Sequence, residues 1–152
     1  DAPCFANPTS MIQAIQEYAS NTSQPIPETY AELTRSIFDS LALRYKQVFL
    51  TMKKLTGQEI NSLHIIGGGS KNELLNQFTS NALGATVISG PSEATAIGNI
   101  MLQAKSAGVV DDIQSMRSLI KNSIETKVYE PENSEEWEKA YQKYLTVYTN
   151  DI

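Results

Sequence analysis

The chain has 152 residues, enough for one compact domain, and its 41% hydrophobic and 19% charged residues exclude an intrinsically disordered protein. The 12 basic residues against 17 acidic ones give a formal net charge of −5, which argues against a nucleic-acid partner. The single cysteine, Cys4, excludes an intrachain disulfide, and no apolar run reaches the roughly 20 residues of a membrane helix, so we expect a cytoplasmic protein without a membrane partner.

Two helices are predicted in the first third of the chain. Apolar residues recur at helical spacing over residues 8–20. After a proline-containing loop, Thr29 and Glu32 stand at the spacing of a capping box, which marks a helix start. The apolar period then continues to Gly57, which predicts a helix of about 25 residues and about 37 Å. A helix of that length spans a whole domain.

Strand and helix patterns alternate after residue 61. The short apolar run over residues 62–66 is typical of a buried strand. Three consecutive glycines follow at 67–69. Ser70 and Glu73 then stand at capping-box spacing, which predicts a helix over residues 71–83.

A second strand and helix follow the first pair. Residues 86–89 read as a short strand, Gly90 begins a turn, and Ser92 is placed to cap a helix over residues 93–107. Gly98, inside that helix, predicts close packing against a neighbouring backbone. The order strand, helix, strand, helix predicts an α/β fold with a short parallel sheet flanked by helices.

The last third of the chain is predicted to be mainly helical. Asp111 or Asp112 caps one helix, and residues 127–129 form a short strand or an extended segment. Asn133 or Ser134 begins a final helix. Its apolar face comprises Trp137, Ala140, Tyr141, Tyr144, Leu145 and Tyr148, and we expect the tryptophan and the tyrosines to be core contacts rather than a stacking platform.

The predicted strands are few for the number of helices. Two parallel strands and a doubtful third make a poor sheet by themselves, so either the topology is more helical or further strands lie upstream of Asp1. The chain begins with Asp1 rather than Met, which favours the second interpretation. We therefore expect apolar surface on the helix over 30–56, and the edge of the short sheet, to be open to solvent or to another copy.

The segment from Gly67 to Asn72 carries the clearest chemical signal. Three glycines remove every Cβ from a strand-to-helix turn, so a ligand can approach the backbone, and the helix behind them offers free amide groups. Asn72 supplies a donor and an acceptor for the edge of a heterocyclic base. The alternative is that the glycines serve only the steric needs of the turn. The pattern is neither the dinucleotide fingerprint nor a P-loop.

A second candidate site begins at Gly90, where the next strand meets its helix. The ends of parallel strands lie at one sheet edge, so both turns are expected to face one crevice. Glu93 is either a functional carboxylate or an acid that stabilises the helix N-terminus, which is the more common role.

The only histidine, His64, is expected to be a satisfied structural residue. No second histidine or cysteine lies near it in the sequence, so no zinc site is predicted.

These motifs together resemble the FGGY family of carbohydrate kinases, over most of residues 3–132. The pairing of Gly-Gly-Gly-x-x-Asn with Gly-Pro-x-Glu-Ala is specific in combination, although neither half is specific alone. The segments that carry the resemblance are residues 5–8 with Met11, 24–28, 31–33, 37–43 with Tyr45, 63–72, 74–77, 82–84, 90–94 and 98–100.

The resemblance implies a two-domain enzyme of the actin-like ATPase (ribonuclease H-like) fold, with a cleft between the domains. Residues 1–152 would form the C-terminal portion of the second, ATP-binding domain. Gly67, Gly68 and Gly69 would lie against the nucleotide, and Asn72 would approach the adenine. Magnesium would neutralise the phosphates.

The resemblance further implies transfer of the γ-phosphoryl group of ATP to the 1-hydroxyl of L-rhamnulose. The sugar and the catalytic aspartate would belong mainly to a first domain that this chain lacks, so the fragment alone is expected to be inactive and open to self-association. Related kinases act on fuculose, xylulose or glycerol, and these substrates remain alternatives. A non-catalytic α/β interaction module remains the alternative from a different class.

Overall fold

The computed structural model describes residues 2–148. Within that range the chain forms six α-helices and three β-strands, with short 3₁₀ turns at Pro3–Phe5 and Gly68–Lys71. No helix of this part of the chain is both long and apolar enough to pass through a membrane. In chain order the elements are α1 Met11–Asn21, α2 Tyr30–Thr56, β1 Ser62–Ile65, α3 Glu73–Leu83, β2 Thr86–Ser89, α4 Ala94–Ser106, α5 Ile113–Ser123, β3 Lys127–Tyr129 and α6 Ser134–Val147.

The predicted long helix is confirmed as α2, with 27 residues. Its N-terminus is the predicted capping box: Glu32 N donates to Thr29 Oγ1 at 3.2 Å, and Thr29 N donates to Glu32 Oε2 at 2.9 Å. Thr29 N and Glu28 N both donate to Glu32 Oε2, and these two bonds lower the pKa of the Glu32 carboxyl. The helix ends at Gly57, which adopts the left-handed conformation at φ 63°.

The three strands form one sheet in the order β1-β2-β3. The predicted parallel pairing is confirmed for β1 and β2, where Ser62 lies opposite Thr86. The prediction of a parallel sheet is wrong for β3, which pairs antiparallel to β2 with Ser89 opposite Lys127. A single crossover helix returns the chain to the start of the next strand. Between β2 and β3 the chain instead passes through two helices, α4 and α5, and returns to the end of the sheet at which β2 finished. β3 therefore starts beside the end of β2 and runs in the opposite direction.

The prediction that the first strand is buried is wrong. Within the described residues β1 has a neighbouring strand on one side only, and its side chains are half-buried or exposed. His64 is exposed and its imidazole makes no hydrogen bond within residues 2–148, so it is not a satisfied core histidine. The central strand β2 is the buried one, with Val87 fully enclosed.

The hydrophobic core lies where α2, α3 and α6 meet. Trp137 and Tyr141 of α6 are buried, as the apolar face of the final helix predicted. The ring of Phe78 on α3 packs against Trp137 with 5.4 Å between centroids. Tyr144 is packed against the same cluster and is partly buried, which raises the pKa of its hydroxyl to about 12.

The other face of α3 carries buried polar side chains. Asn76, Thr79 and Ser80 are all fully buried. The Ser80 hydroxyl lies 2.9 Å from the carbonyl oxygen of Ala85 and 2.8 Å from that of Tyr129. These contacts fix α3 to the start of β2 and to β3, and satisfied polar groups of this kind specify one arrangement of the two elements.

Helices α4 and α5 contribute no buried residue to the described structure. The close packing predicted at Gly98 is wrong, because a Cβ placed there meets no atom within 4 Å. The predicted open apolar surface on α2 is confirmed, and we call it the α2 stripe. Its exposed members are Tyr30, Ile37, Leu41, Tyr45, Val48, Met52 and Leu55.

Candidate functional site

Two strand-to-helix turns meet at the carboxyl edge of the parallel pair, as predicted. We call residues 66–72, between β1 and α3, the first turn, and residues 90–93, between β2 and α4, the second turn. Gly67 N donates to Pro91 O at 3.0 Å, and Gly90 N donates to Ile65 O at 2.7 Å. The second turn is therefore hydrogen-bonded both to the first turn and to the end of β1.

The first turn begins with a backbone conformation that glycine favours. Gly67 has φ 80° and ψ −164°, a combination in which an L side chain is strained. The chain then enters the 3₁₀ turn Gly68–Lys71. Ser70 donates twice to Gly67 O, from its backbone N at 3.0 Å and from its hydroxyl at 2.7 Å. The predicted capping role of Ser70 is therefore wrong, since its hydroxyl closes the 3₁₀ turn instead.

Asn72 is the residue that caps α3. Its Oδ1 accepts a hydrogen bond from Leu75 N at 3.1 Å, so the helix begins at Glu73 rather than at Lys71. The acceptor that was predicted to read a base is thus already used. Its Nδ2 donates to no group within residues 2–148, so the half-buried side chain keeps both N–H donors of Nδ2 free at the turn.

The space around the first turn is open. A Cβ placed on Gly67, Gly68 or Gly69 meets no atom of residues 2–148 within 4 Å, apart from its chain neighbours. Gly68 and Gly69 also lie outside the left-handed region, so neither strain nor crowding within the described chain requires glycine there. The steric explanation of the three glycines therefore applies to Gly67 alone. At Gly68 and Gly69 the backbone faces open space without a side chain to cover it.

The second turn is closed where the first is open. A Cβ on Gly90 would lie 2.9 Å from Cγ2 of Ile66, so this glycine fits a crowded place. The predicted capping of α4 by Ser92 is wrong. Glu93 occupies the N-cap position and makes no side-chain cap bond, so it remains an exposed carboxylate beside the turn.

A cleft of about 450 Å³ lies between the two turns and β3. Lys127 of β3 and Glu73 of α3 form an ion pair on its wall. This hydrogen bond and the charge of Glu73 raise the pKa of the Lys127 ammonium. The residues that line the cleft are Ser70, Lys71, Glu73, Ser89, Gly90, Pro91, Ser92, Glu93, Ile124, Glu125, Lys127 and Tyr129.

The wall from β3 was not predicted from the sequence. Glu125, Lys127 and Tyr129 come to the cleft because β3 runs antiparallel and starts beside the end of β2. The sequence signal that could have predicted this wall is the pair of helices, α4 and α5, between β2 and β3. Two helices in succession return the chain to the edge of the sheet at which β2 ends. Within residues 2–148 no group of three or more His, Cys, Asp or Glu side chains is placed to hold a metal ion.

Comparison with known proteins gives a consistent set of matches. Residues 1–107 match the C-terminal domain of the FGGY family of carbohydrate kinases. The chain is 53% identical over 141 residues to the rhamnulokinase of Bacteroides thetaiotaomicron, covering 93% of this chain and 29% of that protein. It is 42% identical over 144 residues to the rhamnulokinase of Lactiplantibacillus plantarum, covering 93% and 30%. For the rhamnulokinase of Enterococcus faecalis the identity is 43% over 130 residues, covering 84% and 26%.

These alignments cover most of this chain but only part of each relative. The chain spans about three tenths of the length of the relatives that it matches. Both turns fall inside the matched domain of residues 1–107, whereas the cleft wall formed by residues 124–129 lies beyond it.

Proposed function

Because the chain belongs to the FGGY family of carbohydrate kinases, we propose that it is the C-terminal portion of the ATP-binding domain of a sugar kinase. The complete protein transfers the γ-phosphoryl group of ATP to the 1-hydroxyl of L-rhamnulose. Three relatives named rhamnulokinase, each at least 42% identical, support this substrate. We place the enzyme in the cytoplasm, where its nucleotide substrate is found. The ribonuclease H-like fold is part of the same proposal.

The observation that carries the nucleotide assignment is the open backbone of the first turn. Gly68 and Gly69 are glycines without a steric reason in the described chain, which is what a closely approaching ligand requires. The N-terminus of α3 follows them directly, and its amide groups and helix dipole favour negative charge. In this proposal the backbone of Gly67, Gly68 and Gly69 lies against the nucleotide, and Asn72 Nδ2 donates to the adenine edge.

The catalytic base of this proposal lies outside these residues. Asp39 is on α2, ion-paired with Arg35 at 2.7 Å. Asp112 accepts a hydrogen bond from Ser115 N at 2.7 Å as the cap of α5, which lowers the pKa of its carboxyl. Both carboxylates already have structural roles, so we propose that residues 1–152 alone transfer no phosphoryl group.

The described residues do not fit a protein-held magnesium ion, because they bring together no set of metal-binding side chains. Kinases hold magnesium through substrate phosphates, waters and one or two carboxylates. In this proposal those carboxylates come from elsewhere in the kinase, and no role for the ion is assigned to this segment.

The substrate is tested with a coupled assay on the full-length protein. L-rhamnulose is expected to be phosphorylated with the highest kcat/KM, against L-fuculose, xylulose and glycerol. Equal turnover of all four sugars would contradict the substrate assignment while leaving the kinase assignment in place.

The role of Asn72 is tested with variants that keep its cap. Asn72→Asp and Asn72→Ser both retain a capping oxygen for Leu75 N, but neither offers the Nδ2 donor. We expect both variants to raise the KM for ATP about tenfold, as the loss of a hydrogen bond predicts, with unchanged KM for the sugar. Unchanged KM for ATP in both would contradict this role.

The alternative function is a non-catalytic interaction module. The observation in its favour is the α2 stripe, together with α4, which buries no residue. We propose instead that the remaining polypeptide of the kinase covers these surfaces, and that the 152-residue chain alone self-associates through them. Sedimentation of the 152-residue chain and of the full-length protein measures their association states, and a titration with ATP measures nucleotide binding by the full-length protein. A monomeric fragment, or a full-length protein that does not bind ATP, would favour the interaction module.

A further inference from the structure

Asn76 lies one helical turn beyond Asn72 on α3 and is fully buried. Its Nδ2 donates to Ser70 O at 2.9 Å. Its Oδ1 is buried and has no hydrogen-bond partner within the described residues. A buried acceptor without a partner is costly, so packing against the sheet does not explain an amide at this position. The bond to Ser70 does explain it.

That bond is one link in a chain that reaches the open backbone. Asn76 holds the carbonyl of Ser70, and the Ser70 hydroxyl and amide hold the carbonyl of Gly67. The amide of Gly67 in turn donates to Pro91 O in the second turn. Each of these groups has its partner within 3.0 Å. The path of the bare backbone is thus set by a series of hydrogen bonds that begins in the protein interior.

The other end of the series is anchored firmly. The helix α3 that carries Asn76 packs against α2, α6, β2 and β3. Gly67, Gly68 and Gly69 have no side chains of their own to pack, so the hydrogen bonds of the turn hold their backbone in place. A flexible turn binds a ligand weakly unless its conformation is fixed before binding. The brace from Asn76 supplies that fixed conformation.

We infer that Asn76, acting through Ser70, is a positioning residue for the nucleotide, which holds the first turn in the conformation that receives ATP. This inference rests on the proposed function, since it assumes that the first turn is the nucleotide site. Asn76 does not touch the ligand. Its effect is therefore expected on ATP binding and not on the sugar.

The test compares two identical changes on one helix of the full-length protein. Asn76→Leu removes the brace and also the unpartnered Oδ1, with a side chain of similar volume. Asn81→Leu is the matched control: Asn81 is also buried, but its Oδ1 accepts from Glu132 N at 2.8 Å, away from the first turn. Ser70→Ala removes only the hydroxyl link to Gly67 and is the second test variant.

Asn76→Leu is expected to raise the KM for ATP about tenfold and Ser70→Ala about threefold, the usual effect of one lost hydrogen bond. The KM for the sugar stays unchanged in both. Asn81→Leu is expected to lower the melting temperature while leaving the KM for ATP within about twofold. Equal effects of Asn76→Leu and Asn81→Leu on the KM for ATP would overturn the inference.

Two further outcomes are distinguishable. If Asn76→Leu fails to fold, an unchanged KM for ATP in Ser70→Ala overturns the inference by itself. If the wild-type protein neither binds nor uses ATP, the proposed function fails and the inference fails with it. Wild-type activity with an unaffected Asn76→Leu variant overturns only the positioning role.

Discussion

The two turns at the carboxyl edge of the sheet contain the same kind of residue for different physical reasons. Gly90 in the second turn is a glycine because a Cβ would meet Ile66 at 2.9 Å. Gly67 in the first turn is a glycine because of its φ of 80°. Gly68 and Gly69 have neither reason, and their surroundings are open. A glycine that nothing in the chain requires is the better indication of a ligand.

The helix that follows the first turn is firmly packed, whereas the helix that follows the second turn is not. Five residues of α3 are buried, and the helix is joined to its turn through Asn72 and Asn76. No residue of α4 is buried, and its N-cap residue Glu93 makes no cap bond. The first turn is therefore an open backbone on a firmly held helix. The second is a closed turn on a helix with little support from the described chain.

The largest expected effect on stability is that of Gly67→Ala. Its φ and ψ lie where an L residue is strained by about 1–3 kcal/mol, so the free energy of unfolding should fall by that amount. Urea denaturation of the full-length protein measures it. A fall no greater than that of Gly90→Ala would remove the conformational reason for glycine at this position.

Gly68→Ala is expected to separate stability from binding. The added methyl meets no atom of the described chain, and the unfolded state loses entropy, so the free energy of unfolding should stay constant or rise by about 0.4–1 kcal/mol. The KM for ATP should rise about tenfold, or about 1.4 kcal/mol, because the methyl occupies the space of the ligand. Gly69→Ala should behave in the same way. Unchanged ATP kinetics in both variants would show that the open space receives something else.

Gly90→Ala tests the closed turn. The new Cβ would lie 2.9 Å from Cγ2 of Ile66, which must shift to admit it, and because Ile66 is 60% exposed its side chain has room to rotate. We therefore expect the free energy of unfolding to fall by less than about 1 kcal/mol, with little change in the KM for ATP. A loss of ATP binding here as large as that of Gly68→Ala would mean that both turns contact the nucleotide.

The smallest effect is expected at the ion pair between Lys127 and Glu73 on the cleft wall. Both side chains are exposed, so Lys127→Gln should change the free energy of unfolding very little at pH 7. The pKa of Lys127 is raised above its ordinary value of 10.5 in the folded state. Its contribution is therefore fully present below pH 10.5 and is lost as the pH rises through the higher folded value.

Unfolding curves measured from pH 7 upward check this sign. The curves of the wild type and of Lys127→Gln should converge in strongly alkaline solution. Lys139→Gln, which changes an exposed lysine of α6, is the control. A difference between wild type and Lys127→Gln that grows with pH would contradict the raised pKa.

Local sequence patterns were sufficient for most elements. The capping box at Thr29 and Glu32 and the left-handed Gly57 set the two ends of α2, because both act through the backbone of adjacent residues. The meeting of the two turns also followed from the order of strands and helices alone. At the start of α3, in contrast, Ser70, Asn72 and Glu73 offered competing caps. The choice depended on the 3₁₀ turn that Ser70 closes.

The sequence by itself determined the element types, the glycine turn and the apolar face of α6 with Trp137, since these depend on spacing and local backbone preference. Only the tertiary structure decided the direction of β3, the exposed edge position of β1 and the open space at Gly68 and Gly69. It also decided that Asn76 braces the first turn from within. These features depend on contacts between residues far apart in the chain, which no local pattern records.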